Sequence, residues 1–333
     1  MGLFDSRRRE NKNKMKDEIT VPSSEIAQET YQDIEEIEVM ERDVSRETLN
    51  NDPIPDRSDE VVIAKIKSYA EKKPVRHVVG TTQVMAIINQ KGGVGKSTTA
   101  VNLAAALGKM GKQVLLIDMD PQGNSSSGLG IEKNRLNACI YNVLLQEEAL
   151  TEVIIPDVCD GLDVVPATIN LAGAEVELVS MMARENRLKE AIGQVRGKYD
   201  YVFIDCPPSL GLLTLNALVA SDKLLIPIQC EFYALEGVTK LLDTMKRVKT
   251  YLNPSLDIFG VLLTMYDGRT TLSKQVAGEV RSFFGKLVFD VMIPRSVKIS
   301  EAPSFGEPIG DYDPAGKGAE AYNALAKEVI SRG

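Results

Sequence analysis

Lys91-Gly92-Gly93-Val94-Gly95-Lys96-Ser97-Thr98 packs glycines, two lysines and two hydroxyls into one short stretch. That is the chemistry of a phosphate cradle. Glycines let backbone N–H groups curl around an anion, and a helix starting there adds the positive end of its dipole. Lys96 is spaced to reach the outer phosphates and Ser97 to ligate magnesium. An apolar run, Val84-Met85-Ala86-Ile87-Ile88, precedes the loop and an Ala- and Leu-rich run follows it. The order strand, loop, helix that a P-loop requires is therefore legible. One departure from the usual G-x-x-x-x-G-K-[ST] stands out. Five residues before Gly95 lies Gln90 rather than Gly, and a second lysine, Lys91, comes next. Two ammonium groups at one small loop repel unless each has its own anion. A nucleotide held by a facing subunit would supply the second.

Two carboxylate motifs follow. Asp118-Met119-Asp120-Pro121-Gln122-Gly123-Asn124 closes an apolar run at 114–117, and Tyr201-Val202-Phe203-Ile204 leads into Asp205-Cys206-Pro207-Pro208-Ser209. Phosphoryl transfer to water needs charge neutralisation, an in-line water and exclusion of solvent; carboxylates at strand ends can serve the first two. Paired aspartates at loops are more often helix caps when taken by themselves; the resemblance described below, which includes the Pro-Gln-Gly-Asn tail, implies catalysis.

These residues need a frame. Strands are expected at 84–88, 114–117, 162–165, 201–204, 224–228, 258–263 and 288–293. A helix after the loop carries Ala100, Leu103, Ala104 and Leu107 at i, i+3, i+4, i+7 and stops at Gly111. Further helices are expected at about 173–193, 209–220, 235–251, 272–284 and 315–331. Apolar strands separated by helices imply an α/β fold, a doubly wound, mostly parallel sheet with helices on both faces. Ligands then sit at the carboxyl ends of the strands, where all three motifs fall.

The 333 residues suffice for one large α/β domain with an extension, and 44% are apolar. No apolar run approaches the ~18 residues of a membrane span, and no secretory segment is seen near Met1. Cys139, Cys159, Cys206 and Cys230 form neither a CxxC pair nor a zinc spacing, which reads as reduced thiols in a cytoplasmic protein. The single histidine, His77, lies outside the patterned body and excludes a histidine relay there. The net charge is −8, shared evenly: residues 1–82 carry 14 basic and 18 acidic side chains, the remainder 25 and 29. A whole-chain sum does not exclude a local basic stripe. Arg269, Lys274, Arg295 and Lys298 follow the late strands and could form one.

Residues 1–82 read as a mostly disordered arm ahead of a domain at 83–333. The arm is basic at Arg7-Arg8-Arg9, acidic from Asp17 to about Glu60, and basic again from Lys65, with few aromatics. A short helix is expected near 60–71, where Val61, Ala64 and Ile66 cluster. Met1-Gly2-Leu3-Phe4-Asp5-Ser6 fits a myristoylation pattern and is read as a chance match.

The loop Lys91–Ser97 resembles the deviant Walker A motif, KGGxGK[ST], of the ParA/MinD/nitrogenase-iron-protein ATPases. Asp118–Asn124 is similar to that family's DxDPQGN, and Tyr201–Ser209 to its strand ending in DxPPS. Leu262-Leu263-Thr264-Met265-Tyr266-Asp267-Gly268-Arg269-Thr270 and the run from Ile293 to Ser304 resemble late motifs of the partition ATPases of the ParA, or Soj, type. The resemblance covers roughly residues 84–330. It implies ATP and Mg2+ as cofactors and an ATP-dependent homodimer in which Lys91 crosses to the partner's ATP, with Gly92 and Gly93 pressed between subunits. It implies nucleotide contacts from Lys91, Gly92, Gly93, Val94, Gly95, Lys96, Ser97 and Thr98, and adenine contacts from Met265, Pro294 and Arg295. It likewise implies that Asp120 would orient or activate the attacking water, catalysing with Lys91 and Lys96, and that Ser97, Asp118 and Asp205 would serve the metal. Arg269 and Arg295 best match the residues that hold non-specific double-stranded DNA. The resemblance also implies a ParB-type centromere-binding protein that would stimulate hydrolysis, and a cytoplasmic, nucleoid-associated protein that would move a chromosome origin. Asp43-Val44-Ser45-Arg46-Glu47-Thr48 is similar to a VSRET segment in the arms of some chromosomal members, with a polar scaffold protein one candidate partner. The alternative is a MinD-like ATPase at the membrane that positions the division site. It is disfavoured by a C-terminal segment that is short and weakly basic. An iron–sulfur role needs a pair of cluster-facing cysteines that Cys206 does not make.

Overall fold

Alternation of apolar residues along the strand Gln83–Ile87 splits its side chains between two cores. Val84 and Ala86 face one, Met85 and Ile87 the other, as the two-residue period of a strand requires. The computed structural model describes residues 81–231 and 236–333. Its elements run β1 (Gln83–Ile87), α1 (Lys96–Lys109), β2 (Val114–Asp118), α2 (Asn124–Gly128), α3 (Ile140–Leu145), α4 (Leu150–Val153), β3 (Ile155–Cys159) and β4 (Leu162–Val165). There follow α5 (Leu171–Glu177), α6 (Arg187–Gly193), β5 (Tyr201–Asp205), α7 (Leu212–Ala220), β6 (Lys223–Gln229), α8 (Glu236–Tyr251), β7 (Asp257–Tyr266), α9 (Thr271–Phe284), β8 (Val288–Pro294), α10 (Val297–Glu301), α11 (Ile309–Tyr312) and α12 (Lys317–Arg332).

One eight-stranded sheet results, in the order β3-β4-β2-β5-β1-β6-β7-β8. All pairs are parallel except β3 with β4. The expected doubly wound α/β fold is the one observed. Helices α1, α10, α11 and α12 cover one face, and α3 and α5 to α9 contribute to the core on the other. The spacing read for α1 holds: Ala100, Leu103, Ala104 and Leu107 are fully buried. Helix α12 packs on α1 and β8 and buries Tyr322, Leu325, Ala326 and Val329, again i, i+3, i+4, i+7.

Two local expectations change. The helix expected over 173–193 is broken: α5 ends in a 3-10 turn at Leu178–Ser180 and α6 starts only at Arg187. A tertiary contact competes for the backbone. Asn216 of α7 donates from Nδ2 to the Arg184 carbonyl (2.8 Å) and accepts from the Leu188 amide (3.2 Å), and Ala183 has φ 51, outside the helical region. The antiparallel edge strand β3 was not anticipated. Its Pro156 is tolerated because an edge strand leaves one row of amides unpaired. The expectations for the arm, including a helix near 60–71, the VSRET segment, the N-terminal pattern and His77, lie outside the described residues.

Candidate functional site: a nucleotide cleft at the strand ends

The parallel register brings three motif strands side by side. Asp205 at the end of β5 pairs in register with Ile87 of β1 on one side and Asp118 of β2 on the other. The loop after β1 therefore lies beside both carboxylate motifs.

That loop is a set of unfilled donors. Among the described residues, the backbone N–H groups from Gly92 to Thr98 make no hydrogen bond. α1 has no side-chain cap, and a helix leaves its first amides unpaired unless something outside the helix accepts from them. Gly95, the N-cap of α1, has φ 85, and Gly93 has φ 73, left-handed values that favour glycine. Asn89 stiffens the entry: its Nδ2 donates to the Pro227 carbonyl (2.7 Å) and its Oδ1 accepts from the Lys91 amide (3.0 Å). The donors open on a cleft of about 690 Å3 whose walls include Lys96, Ser97, Asp120, Met265, Pro294 and Arg295. A volume of that order suits a nucleotide-sized ligand.

Lys96 is buried, with Nζ reaching the Lys91 carbonyl at 3.4 Å. Desolvation lowers its pKa, while Asp205, Cys206 and Asp120 pull the other way. Asp118 and Asp205 are completely buried. Burial and the Asp118 charge push Asp205 up to about 7, opposed by the Ser97 and Ser125 hydroxyls and the Lys96 ammonium. Burial pushes Asp118 up to about 6 against hydrogen bonds from Ser126 and Asp120, with the Asp120 charge adding to the rise. Their hydrogen bonding differs. Asp118 Oδ2 accepts from the Ser126 amide (2.9 Å) and hydroxyl (2.7 Å), and Oδ1 from the Asp120 amide (3.2 Å). Asp205 Oδ2 accepts from Ser125 Oγ (2.7 Å), but Oδ1 is a buried oxygen with no hydrogen-bond partner. Such an atom is costly unless a ligand completes it. A hydrated magnesium ion fits it: Mg2+ takes one or two carboxylates plus phosphate oxygens and waters rather than an all-protein cage. No group of three or more His, Cys, Asp or Glu side chains is gathered as a metal site among the described residues. Asp120 is buried on the cleft wall, its Oδ1 accepting from the Gln122 amide (3.0 Å). Asn89, Ser125 and Ser126 were not singled out from sequence. The serines directly follow the Asp118–Asn124 motif, which is the one signal that could have marked them.

The four cations of the expected stripe all follow the C-terminal ends of β7 and β8, but three are already paired. Arg269 forms a fork on Asp267 (2.9 and 2.8 Å), which holds that carboxyl down at about 2. Arg295 donates to Glu231 (2.7 Å). Lys298 pairs with Glu301 at 3.0 Å and lies 5.3 Å from the centre of the Tyr312 ring. Lys274 is exposed on the first turn of α9. Lys91 makes no ion pair among the described residues, and Gly92 beside it is exposed.

Fold and cleft together define a P-loop nucleotide-binding protein: donors at a helix N-terminus, a buried lysine, and strand-end aspartates with an open oxygen. A protein-family model described as an AAA domain matches residues 82–258. The chain is 56% identical over 251 residues to the sporulation initiation inhibitor protein Soj of Bacillus subtilis, covering 75% of this chain and 99% of that one. It is 53% identical to the chromosome partitioning protein ParA of Myxococcus xanthus, over 75% of this chain and 88% of that one. Among solved structures, cobyrinic acid a,c-diamide synthase from Mycobacterium smegmatis with bound ADP and magnesium superposes with a TM-score of 0.66 at 39% identity, over 75% of this chain and 94% of that one. The chain belongs to the ParA/Soj family of chromosome-partitioning ATPases.

Proposed function

We propose that this ATPase is a dimerising switch: ATP closes two copies face to face, the closed dimer holds double-stranded DNA without sequence preference, and a ParB-type partner triggers hydrolysis and release to segregate a chromosome origin. The observation that carries the dimer is Gly92. Its φ lies outside the left-handed range, and a Cβ built there meets nothing within 4 Å. Neither its own backbone nor its neighbours require glycine, yet the position is exposed at the mouth of the cleft beside Lys91, which has no ion pair among the described residues. A second copy approaching closely explains both: glycine keeps the contact flat, and Lys91 finds its anion on the partner's nucleotide.

Within each copy, the amides from Gly92 to Thr98 and the Lys96 ammonium bind the phosphates. Mg2+, when bound, would neutralise phosphate charge; Ser97 and Asp205 would hold it, with Asp118 shaping the Asp120 loop by accepting from the Asp120 amide. Asp120 holds the attacking water and accepts its proton. Met265, Pro294 and Arg295 flank the base. Arg269, Lys274, Arg295 and Lys298 contact DNA phosphates, which gives salt-sensitive binding without base readout. The protein then works in the cytoplasm on the nucleoid. No helix among the described residues is long and apolar enough to cross a membrane. The MinD-like alternative gains no support from α12, whose apolar face is spent on the core.

DNA co-sedimentation with ATP, ADP and no nucleotide tests the switch, with light scattering to count copies. Wild type is expected to dimerise and pellet with DNA only in ATP. Gly92→Val should keep nucleotide binding but lose both responses. Equal DNA binding in all three nucleotide states would overturn the reading.

A further inference from the structure

One peptide of the phosphate cradle is held by a residue from the far side of the sequence. Thr264, near the C-terminal end of β7, is buried, and its Oγ1 donates a 2.8 Å hydrogen bond to the Val94 carbonyl. The Val94–Gly95 peptide is trans, and in a planar trans peptide the C=O and N–H point in opposite directions. With the carbonyl tied back to Thr264, the Gly95 N–H is aimed the other way and has no partner among the described residues. Both Gly95 and Thr264 line the cleft. The opposite orientation would present a carbonyl oxygen, the negative end of the peptide dipole, to the phosphates. Thr264 is itself braced, its carbonyl accepting from the Cys230 amide at 3.1 Å. Its Cγ2 lies 3.8 Å from where a Gly95 Cβ would sit.

We propose that Thr264 is a positioning residue for the nucleotide phosphates: its hydroxyl locks the Val94–Gly95 peptide in the orientation that offers the Gly95 amide to a phosphate oxygen. This rests on the nucleotide-cleft reading. Thr264→Val keeps the branched shape and removes the donor, whereas Thr264→Ser keeps the donor and removes a methyl.

Calorimetric titration of ADP in Mg2+ onto the full chain is the test, with Tm recorded for each variant without nucleotide. Thr264→Val is expected to bind ADP about tenfold more weakly, with Thr264→Ser restored to near the wild-type affinity. A purely structural role would lower Tm but leave the affinity of the folded protein unchanged, and that result overturns the proposal. If wild type itself failed to bind ADP, the cleft reading would fall. If wild type and Thr264→Val bound ADP equally, only the role of Thr264 would fall. Should Thr264→Val not fold, Thr264→Ala carries the same expectation and the same refutation.

Discussion

Replacing Asp205 by Asn should stabilise the nucleotide-free chain while removing its response to Mg2+ and ATP. Asp118 and Asp205 are register partners on adjacent strands, both fully buried. An ordinary aspartate titrates at 3.8, and Asp205 is pushed up to about 7. A folded-state pKa above the unfolded one means that the folded chain holds its proton more tightly. The associated stability is complete below the unfolded value and is lost as pH rises through the folded one. At pH 8.5 the wild type therefore carries the full cost of an ionised Asp205. About three pKa units at ~1.4 kcal/mol each set an upper bound of ~4 kcal/mol. Asp118 shares the repulsion, so the expected gain is ~2–4 kcal/mol. For a domain of about 250 residues each kcal/mol moves Tm by ~2–4 °C, so Asp205→Asn should melt about 4–16 °C higher at pH 8.5. The difference should shrink towards pH 4, where the wild-type carboxyl is protonated. Thermal unfolding from pH 4 to 8.5 reads this directly. With Mg2+ and ATP added, the wild type should gain stability and the variant little, because the neutral amide lacks the carboxylate charge that would hold the ion. A variant no more stable than wild type at pH 8.5, or one whose advantage grows in acid, refutes the reasoning.

Asp120→Ala should lower phosphate release by ~10²–10⁴-fold, the range for loss of a general base, while the ATP-bound dimer persists in light scattering. Asp267→Asn should free Arg269 and raise DNA affinity by up to about fivefold at low salt, the scale of an exposed ion pair; fluorescence anisotropy measures it. Arg269→Glu should abolish DNA binding in ATP without changing the nucleotide affinity, as calorimetry would show.

The sequence by itself determined what is contiguous. The cradle from Lys91 to Thr98 is one unbroken run because a loop at a helix N-terminus is built from consecutive amides. Strand and helix periods are also local, so α1, β2, β5 and α12 were legible within a residue or two. A charged residue ending an apolar strand announced Asp118 and Asp205. Tertiary structure alone decided how far these pieces constrain one another. Burial at adjacent strand ends raised both Asp118 and Asp205, the Asp118 charge added to the rise at Asp205, and one Asp205 oxygen was left open. Asn216 broke a helix that periodicity favoured, Thr264 reached across 170 residues to orient one peptide, and Glu231 paired with Arg295 across 64 residues. Hydrogen bonds and ion pairs between distant residues leave no periodic trace along the chain. They depend on which strand ends the fold makes neighbours.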